Sequence, residues 1–226
     1  LQAVSPAGRV DIERPVTAGA QWRILEQRLS IKKYPTCLST HRLIDGIIEL
    51  NAKHDLQTED VARIEISMSE RNAQILHIHR PENGLEAKFS AEFAAAASLR
   101  ARCVTLAELT DAFVQDPKTR EIFPLVHVLT EERGNSRTGY ASYDEIRIIM
   151  KNGDFHVIRI SESRGSPGNP LDDQELFEKF SSCLKHACPH VDAKSLYTSL
   201  YNLEQVPNIA DYMTSIVWDM NQVERK

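Results

Sequence analysis

Residues 144–160 read DEIRIIMKNGDFHVIRI. Apolar and polar residues alternate on both sides of Asn152-Gly153, from Asp144 to Met150 and again from Phe155 to Ile160. Asn-Gly between two alternating runs is the strongest short-range signature of a β-hairpin. The stretch therefore predicts two antiparallel strands joined by a tight turn, and this hairpin is the basis of the predicted sheet.

Further strands and helices are predicted around this hairpin. Residues 63–68 alternate polar and apolar side chains, which predicts a half-buried strand, and residues 125–131 are predicted to add another strand. Apolar residues recur at intervals of three and four from about Ser39 to Lys53-His54, which indicates an amphipathic helix. Other helices are predicted for the Ala-rich stretch 87–103, for 105–113 behind a Thr105/Glu108 capping box, after Asp116-Pro117, and at about 170–187, 193–204 and 208–222. The pattern indicates an α+β fold, in which an antiparallel sheet with helices is followed by a C-terminal helical appendix.

Composition excludes several classes of protein. The chain has 226 residues, 42% of them hydrophobic, and a formal net charge of −5, so we expect a globular protein with no nucleic-acid partner. No apolar run approaches the roughly 20 residues of a membrane span, and residues 1–8 do not resemble a signal peptide. Four cysteines are too few and too irregularly spaced for a disulfide framework, which favours a cytoplasmic protein with reduced thiols. Because the chain begins at Leu1 rather than Met, we expect a piece of something longer.

Two groups of histidines and cysteines could bind a metal, but neither pattern is convincing. Cys183, His186, Cys188 and His190 lie within eight residues, yet Cys188 would point away from the shared helical face and Pro189 ends the helix. His77 and His79 would share one face of a strand, but they lack a third ligand, which favours a solvated surface. We therefore predict no metal site.

The most informative segment for function is 32–41, Lys-Lys-Tyr-Pro-Thr-Cys-Leu-Ser-Thr-His. It places two cations, a thiol, hydroxyls and an imidazole directly before the predicted amphipathic helix. Such a segment can hold cationic side chains and helix N–H groups around an anion. The structural alternative is a Pro-bent start of the helix, with Ser39 or Thr40 as its N-cap.

Three blocks of the sequence resemble the MmgE/PrpD family. Segment 32–41, followed by Ile44-Asp45, is similar to the family signature Lys-x-(Tyr/Phe)-Pro-x-(Cys/His)-x-x-Thr-His…Asp. Residues 87–94 resemble its Ala-Lys-Phe-Ser-x-x-Tyr-Ala block, and residues 164–171, with Lys179-Phe180 beyond, resemble its late Gly-x-Pro-x-x-Pro-Leu…Lys-Phe block. The blocks occur in register from about Trp22 to the C-terminus. The family contains methylcitrate dehydratase, cis-aconitate decarboxylase and iminodisuccinate epimerase.

The resemblance implies that this chain is the C-terminal half of a longer protein. Residues 1–27 would then end an N-terminal helical domain, 28–164 would form an α+β lid, and 165–226 would return to the helical domain. The active site would lie between the two domains, with a His and an Asp supplied by the missing half. The family is usually homodimeric, and its methylcitrate dehydratases are thought to work without an iron–sulfur cluster, so we expect no cofactor.

The same resemblance assigns roles to individual residues. Family substrates are small di- and tricarboxylates, so Lys32 and Lys88, which match motif lysines, are expected to bind substrate carboxylates. Lys32, Cys37 and His41 are the expected catalytic residues. Cys37 stands where cis-aconitate decarboxylases carry a His, and His41 would either contact substrate or brace the start of the helix. Phe93 replaces a family Tyr.

Two functions follow as expectations. In the first, Cys37 and Phe93 argue against the decarboxylase subclass, and the complete protein is a lyase resembling methylcitrate dehydratase, which abstracts a proton and eliminates water. A decarboxylase or an epimerase of the same family is the alternative activity, and the isolated chain is expected to be inactive. In the second, the chain is a non-catalytic domain that acts only in assembly.

Apolar residues near the two ends complete the set of expectations. Trp22, Ile24 and Leu25 are predicted to be the first core residues. The last predicted helix carries an apolar stripe that must be covered, and self-association through it is expected: Ile209, Tyr212, Met213, Ile216, Val217 and Met220.

Overall fold

A four-stranded sheet forms the centre of the computed structural model, which describes residues 22–131 and 141–221. The strands are β1 (Val61–Ser69), β2 (Val126–Glu131), β3 (Asp144–Met150) and β4 (Phe155–Ile160), and their order across the sheet is β2-β1-β3-β4. The predicted hairpin is confirmed, since β3 and β4 pair antiparallel from Asp144–Ile160 to Ile149–Phe155. Gly153 closes its turn at a φ of 91°, which glycine adopts without steric cost.

The sheet is mixed rather than wholly antiparallel. β1 pairs antiparallel with β3, as expected, but it pairs parallel with β2, with Ile64 opposite Val126 and Met68 opposite Thr130. The chain between β1 and β2 contains several helices, and a long connection of this kind allows two neighbouring strands to run in the same direction. Alternation within a strand predicts which face is buried, and it carries no information about the direction of the neighbouring strand. The α+β class is confirmed.

The helices of the described chain fall before, between and after these strands. Their bounds are α1 (Arg23–Gln27), α2 (His41–His54), α3 (Glu70–Ile75), α4 (Gly84–Ala87), α5 (Ala91–Ala101), α6 (Asp111–Gln115), α7 (Pro117–Arg120), α8 (Asp173–Ala187), α9 (Ala193–Tyr201) and α10 (Ile209–Asn221).

Two local predictions were wrong. The Thr105–Glu108 contact forms, with the Glu108 carboxylate accepting from the Thr105 N–H and hydroxyl, but the chain makes only turns there. The helix α6 begins after Thr110, whose hydroxyl accepts from the Phe113 N–H. His77 and His79 lie in the loop between α3 and α4 rather than on a strand.

The core lies between the sheet and the helices α2 and α5. Leu43, Ile44 and Ile47 of α2 pack fully buried against β3 and β4, and the Ala-rich face of α5 lies beside α2. Gly46 allows this close approach, because a Cβ there would lie 2.7 Å from the Ile146 Cδ1.

Apolar side chains at both ends of the described chain are exposed, in contrast to those of the core. No described side chain of α9 or α10 is buried, and Ile209 and Met213 are about half exposed. Trp22, Ile24 and Leu25 are also exposed, so their prediction as core residues was wrong for this chain. The side chains of Val217 and Met220 lie outside the described residues. None of the described helices combines the length and apolarity needed to cross a membrane.

Candidate active site

Hydrogen bonds from its own threonine hydroxyl groups stabilise the segment before α2. A bend at 33–36 leads into a single 3-10 turn, Leu38–Thr40, and then into α2. The Thr36 and Thr40 hydroxyls lie 2.8 Å apart, and Thr40 donates to the Cys37 carbonyl at 2.8 Å. Thr40 occupies the N-cap position of α2, but its side chain does not cap the helix. The prediction of Ser39 or Thr40 as N-cap is therefore confirmed for the position of Thr40, but the capping hydrogen bond is not formed.

His41 is buried at the start of α2, directly after this turn. Its side chain is fully excluded from solvent, and neither ring nitrogen has a hydrogen-bond partner among the described residues. The Tyr34 ring meets the imidazole edge-on, with ring centroids 5.2 Å apart. A buried polar group without a partner is costly, so this arrangement is unusual for a purely structural residue.

Burial and positive charge keep the His41 ring neutral. Desolvation, together with the positive charge of the nearby Lys32 ammonium, lowers its pKa to about 4. The carbonyl groups of Thr36 and Tyr34 partly offset this effect, although neither makes a hydrogen bond of normal geometry with the ring. At neutral pH, His41 is therefore an uncharged imidazole. One of its nitrogens can donate a hydrogen bond and the other can accept one.

The two adjacent lysines have different surroundings. Lys33 donates to the Glu175 carboxylate at 2.8 Å, so its charge is paired within the chain. Lys32 is exposed and donates to the Thr36 carbonyl at 3.1 Å. A carbonyl does not neutralise an ammonium, which leaves Lys32 as a cation able to pair with an external anion.

A network of hydrogen bonds fastens the first sequence block to the last. Asp45 accepts from the Tyr34 hydroxyl at 2.6 Å and from the Arg164 N–H at 2.7 Å. The Arg164 guanidinium in turn holds Glu175, with contacts of 2.8 and 3.0 Å from its Nε. The contact with Arg164 lowers the pKa of Glu175 to about 2. Burial raises the pKa values of Tyr34 and Asp45.

The middle block lies against the same segment through its backbone. The Cys37 N–H donates to the Lys88 carbonyl at 2.9 Å, and both side chains are partly exposed. The structure therefore brings Lys32, Cys37, His41 and Lys88 into one region. All four were named from the sequence.

Phe93 lies elsewhere. Its ring is fully buried and meets Phe113 edge-on at 6.2 Å, within the core of the domain. The replacement of Tyr by Phe is thus a change inside the core of this chain. Phe93 therefore does not distinguish a dehydratase from a decarboxylase.

Two carboxylates that the sequence analysis did not single out are buried near this region. Glu92 accepts from the His79 Nδ1 at 2.8 Å, and Asp144 lies 3.5 Å from the Arg42 guanidinium. Burial raises the pKa of Asp144 to about 6. The position of Asp144 at the first residue of a strand gave no signal, because burial of that end depends on the packing of α2. For Glu92, the signal was its place in the first turn of a helix behind Ser90.

A cavity of about 340 Å³ adjoins the Tyr34 side of the network, between α8, residues 33–35 and residues 102–106. Cys103 lines it, and burial raises the pKa of this thiol to about 11. Among residues 22–131 and 141–221, no group of three His, Cys, Asp or Glu side chains is placed to hold a metal ion.

Comparison with known proteins agrees with the three sequence blocks. The profile described as the MmgE/PrpD C-terminal domain matches residues 34–205. The chain is similar to the cis-aconitate decarboxylase of Homo sapiens, with 26% identity over 198 residues, which cover 85% of this chain and 40% of that protein. It is also similar to the cis-aconitate decarboxylase of Mus musculus, with 26% identity over 191 residues, 82% of this chain and 38% of that protein. The chain thus spans about two fifths of the length of these curated relatives.

Proposed function

This chain belongs to the MmgE/PrpD family, and from that membership we propose that it is the lid part of a lyase for small di- or tricarboxylates. The observation that carries the proposal is His41, a buried neutral imidazole with no hydrogen-bond partner among the described residues, set beside the exposed cation Lys32. A substrate carboxylate would supply what both groups lack. It would pair with the ammonium and accept from the ring.

Carboxylate binding is assigned to Lys32 and Lys88. Within residues 22–131 and 141–221, Lys32 donates only to the neutral Thr36 carbonyl, so exchanging this bond for a carboxylate gains a charge-assisted contact. Lys33 is a weaker candidate because Glu175 already neutralises it.

The proposed reaction is elimination of water, as in a methylcitrate dehydratase. A base removes the proton on the carbon next to a carboxylate, the C–H electron pair forms the double bond, and the hydroxyl group leaves as water after protonation by an acid. Carboxylates held by cations stabilise the negative charge that develops at that carbon. His41 remains neutral and serves as a hydrogen-bonding group. Cys37, whose backbone N–H donates to the Lys88 carbonyl, is a candidate proton carrier.

The rest of the active site is proposed to lie on an N-terminal helical domain. The exposed apolar residues of α1, α9 and α10 support this arrangement, because such surfaces are normally covered in a folded protein. Dimerisation of the complete protein is part of the same proposal, and the isolated chain is expected to be inactive.

Decarboxylation of cis-aconitate is the second candidate. It is favoured by the names of the curated relatives, and Phe93 does not argue against it because its ring lies in the core. Cys37 remains the residue that favours dehydration, since it stands where the decarboxylases carry a His.

The test uses the longest natural reading frame that contains this chain. The purified protein is assayed with methylcitrate for alkene formation and with cis-aconitate for release of CO₂. We expect turnover of one acid and a loss of about 10- to 150-fold in kcat/KM for Lys32→Ala, the size of one charged hydrogen bond. Lys53→Ala, an exposed lysine at the far end of α2, is the matched control and should leave the rate unchanged.

The contrary result is also clear. If calorimetry detects no binding of either acid to the folded protein, the enzyme proposal fails and a domain that acts only in assembly is supported.

A further inference from the structure

His79 and Glu92 form a polar pair outside the motif segment. The Nδ1 of His79 lies 2.8 Å from the Glu92 Oε1, and the second carboxylate oxygen accepts from the Ser90 hydroxyl at 3.2 Å. The Glu92 side chain is only 9% exposed, whereas that of His79 is 68% exposed. A buried carboxylate thus holds one nitrogen of a ring that otherwise faces solvent.

The carboxylate fixes how the ring is used. An ionised carboxylate only accepts hydrogen bonds, so the proton on Nδ1 points to Glu92 and exchange of protons with solvent or a ligand takes place at Nε2. No described residue hydrogen-bonds to Nε2.

The backbone places this pair next to the proposed substrate region. The Ile78 N–H donates to the Phe89 carbonyl at 3.4 Å, while the Cys37 N–H donates to the carbonyl of the preceding residue, Lys88, at 2.9 Å. The loop that carries His79 and the motif segment therefore flank the same two residues. His79 is closer to the proposed site than its sequence distance from Cys37 suggests.

We propose that His79, oriented by Glu92, is a catalytic residue of the lyase and donates the proton to the leaving hydroxyl group. In this step a base on the other wall of the site takes the proton next to the substrate carboxylate, and the C–H electron pair forms the double bond. The C–O bond breaks, its electron pair stays on oxygen, and the Nε2 proton of the imidazolium completes a water molecule. Neutral His79 keeps the proton on Nδ1, which is hydrogen-bonded to Glu92. It regains the Nε2 proton from solvent, which its exposure permits. This assignment rests on the proposed function.

The ordinary alternative is that His79 only neutralises a buried carboxylate at the start of α5. In that case, replacing His79 would lower stability and would affect the rate only through folding. The two roles are separable because an exposed ring can be replaced from solution, whereas a structural contact inside the fold is not restored in that way.

The test is made on the complete protein with methylcitrate as the substrate. We expect His79→Ala to lower kcat by 10²- to 10⁴-fold, the usual contribution of a general acid, with little change in KM. Added imidazole should restore part of the rate. Glu92→Gln should lower kcat less, and the double variant should be no slower than His79→Ala, because the two residues act as one unit.

His77→Ala is the matched control. It removes a neighbouring exposed histidine whose Nδ1 lies 3.1 Å from the Ile75 carbonyl, and it should turn over methylcitrate like the unsubstituted protein. A normal kcat for folded His79→Ala, or a loss that imidazole does not restore, overturns the assignment alone. Absence of turnover of methylcitrate by the unsubstituted protein overturns the assignment as well, and it is recognised because it precedes any substitution.

Discussion

Helices α2 and α10 have similar amphipathic patterns and very different surroundings. In α2 the apolar stripe is fully buried against the sheet, whereas in α10 Ile209 and Met213 are about half exposed. Both sequences form helices, so periodicity alone determined the helical conformation. What differs is the partner: β3 and β4 lie within this chain and bury the stripe of α2, whereas none of the described side chains of α10 is buried. A helical pattern thus predicts that a face must be covered, and it does not say by which part of the protein.

The largest effect on stability is expected for a residue in the buried core that α2 packs against, and a much smaller one for a residue of α10. Ile66 in β1 is fully buried, and Ile66→Ala is expected to lower the free energy of unfolding by about 2–5 kcal/mol, through lost burial and the cavity left behind. Met213→Ala, at a residue 50% exposed, should change it by less than about 0.5 kcal/mol.

Urea unfolding of the isolated chain measures both values. Equal losses for the two variants would mean that α10 is buried in this chain, for example by self-association. A sedimentation run at high protein concentration would then identify the dimer.

The next test concerns the contacts that join α8 to the segment before α2. Glu175 at the start of α8 binds both Arg164 and Lys33, so Glu175→Gln should cost about 2–3 kcal/mol, as expected for hydrogen bonds to charged groups. The unsubstituted protein should lose the same contribution as pH falls from 4.5 towards about 2, because the pKa of Glu175 is lowered in the fold.

Hydrogen exchange of the α8 amides is the appropriate measurement. Glu178→Gln is the control, since Glu178 is exposed and accepts from Gln174 in the same helix. If the α8 amides are equally protected in both variants, the network does not hold this helix to the rest of the domain.

The smallest expected effect is a pH dependence of stability that arises from His41, at the start of α2. The pKa of His41 is lowered to about 4 in the fold, so between pH 6.5 and 4 the unfolded chain binds more protons and stability falls as the pH falls. Between pH 7 and pH 5 this amounts to about 2 kcal/mol. Asp144, whose pKa is raised to about 6, acts in the opposite direction over the same range.

Comparing variants removes the contribution of Asp144. The stability lost between pH 7 and pH 5 should be about 2 kcal/mol smaller in His41→Gln than in the unsubstituted chain. In His186→Gln, which removes an exposed histidine of α8, it should be unchanged. An identical loss in all three proteins would show that His41 titrates normally.

Much of the candidate site could be predicted because it lies in short, continuous stretches. Lys32, Cys37 and His41 are separated by fewer than ten residues, and their local geometry follows from hydroxyl contacts within the same segment. The backbone contact with Lys88 was not predictable from spacing, but the resemblance placed both blocks in one site. Their chemical roles remain predictions.

The parts that could not be predicted depend on contacts between distant segments. Asp45 joins Tyr34 to Arg164 across more than a hundred residues, and no local pattern announces such a bond. The pairing of His79 with Glu92 was missed because the loop was interpreted as a strand. The surroundings of Phe93 were misjudged because a motif position does not reveal which way a side chain points.

The sequence by itself determined most of the helices, the four strands and the family of this protein. These features depend on periodicity, turn residues and short motifs, all of which act over a few neighbouring positions. Tertiary structure alone decided that β2 runs parallel to β1, that His41 is buried without a hydrogen-bond partner among the described residues, and that Glu92 holds His79. Each of these depends on which distant segments exclude water from a given side chain, and burial of that kind is a property of the packed chain rather than of any stretch of it.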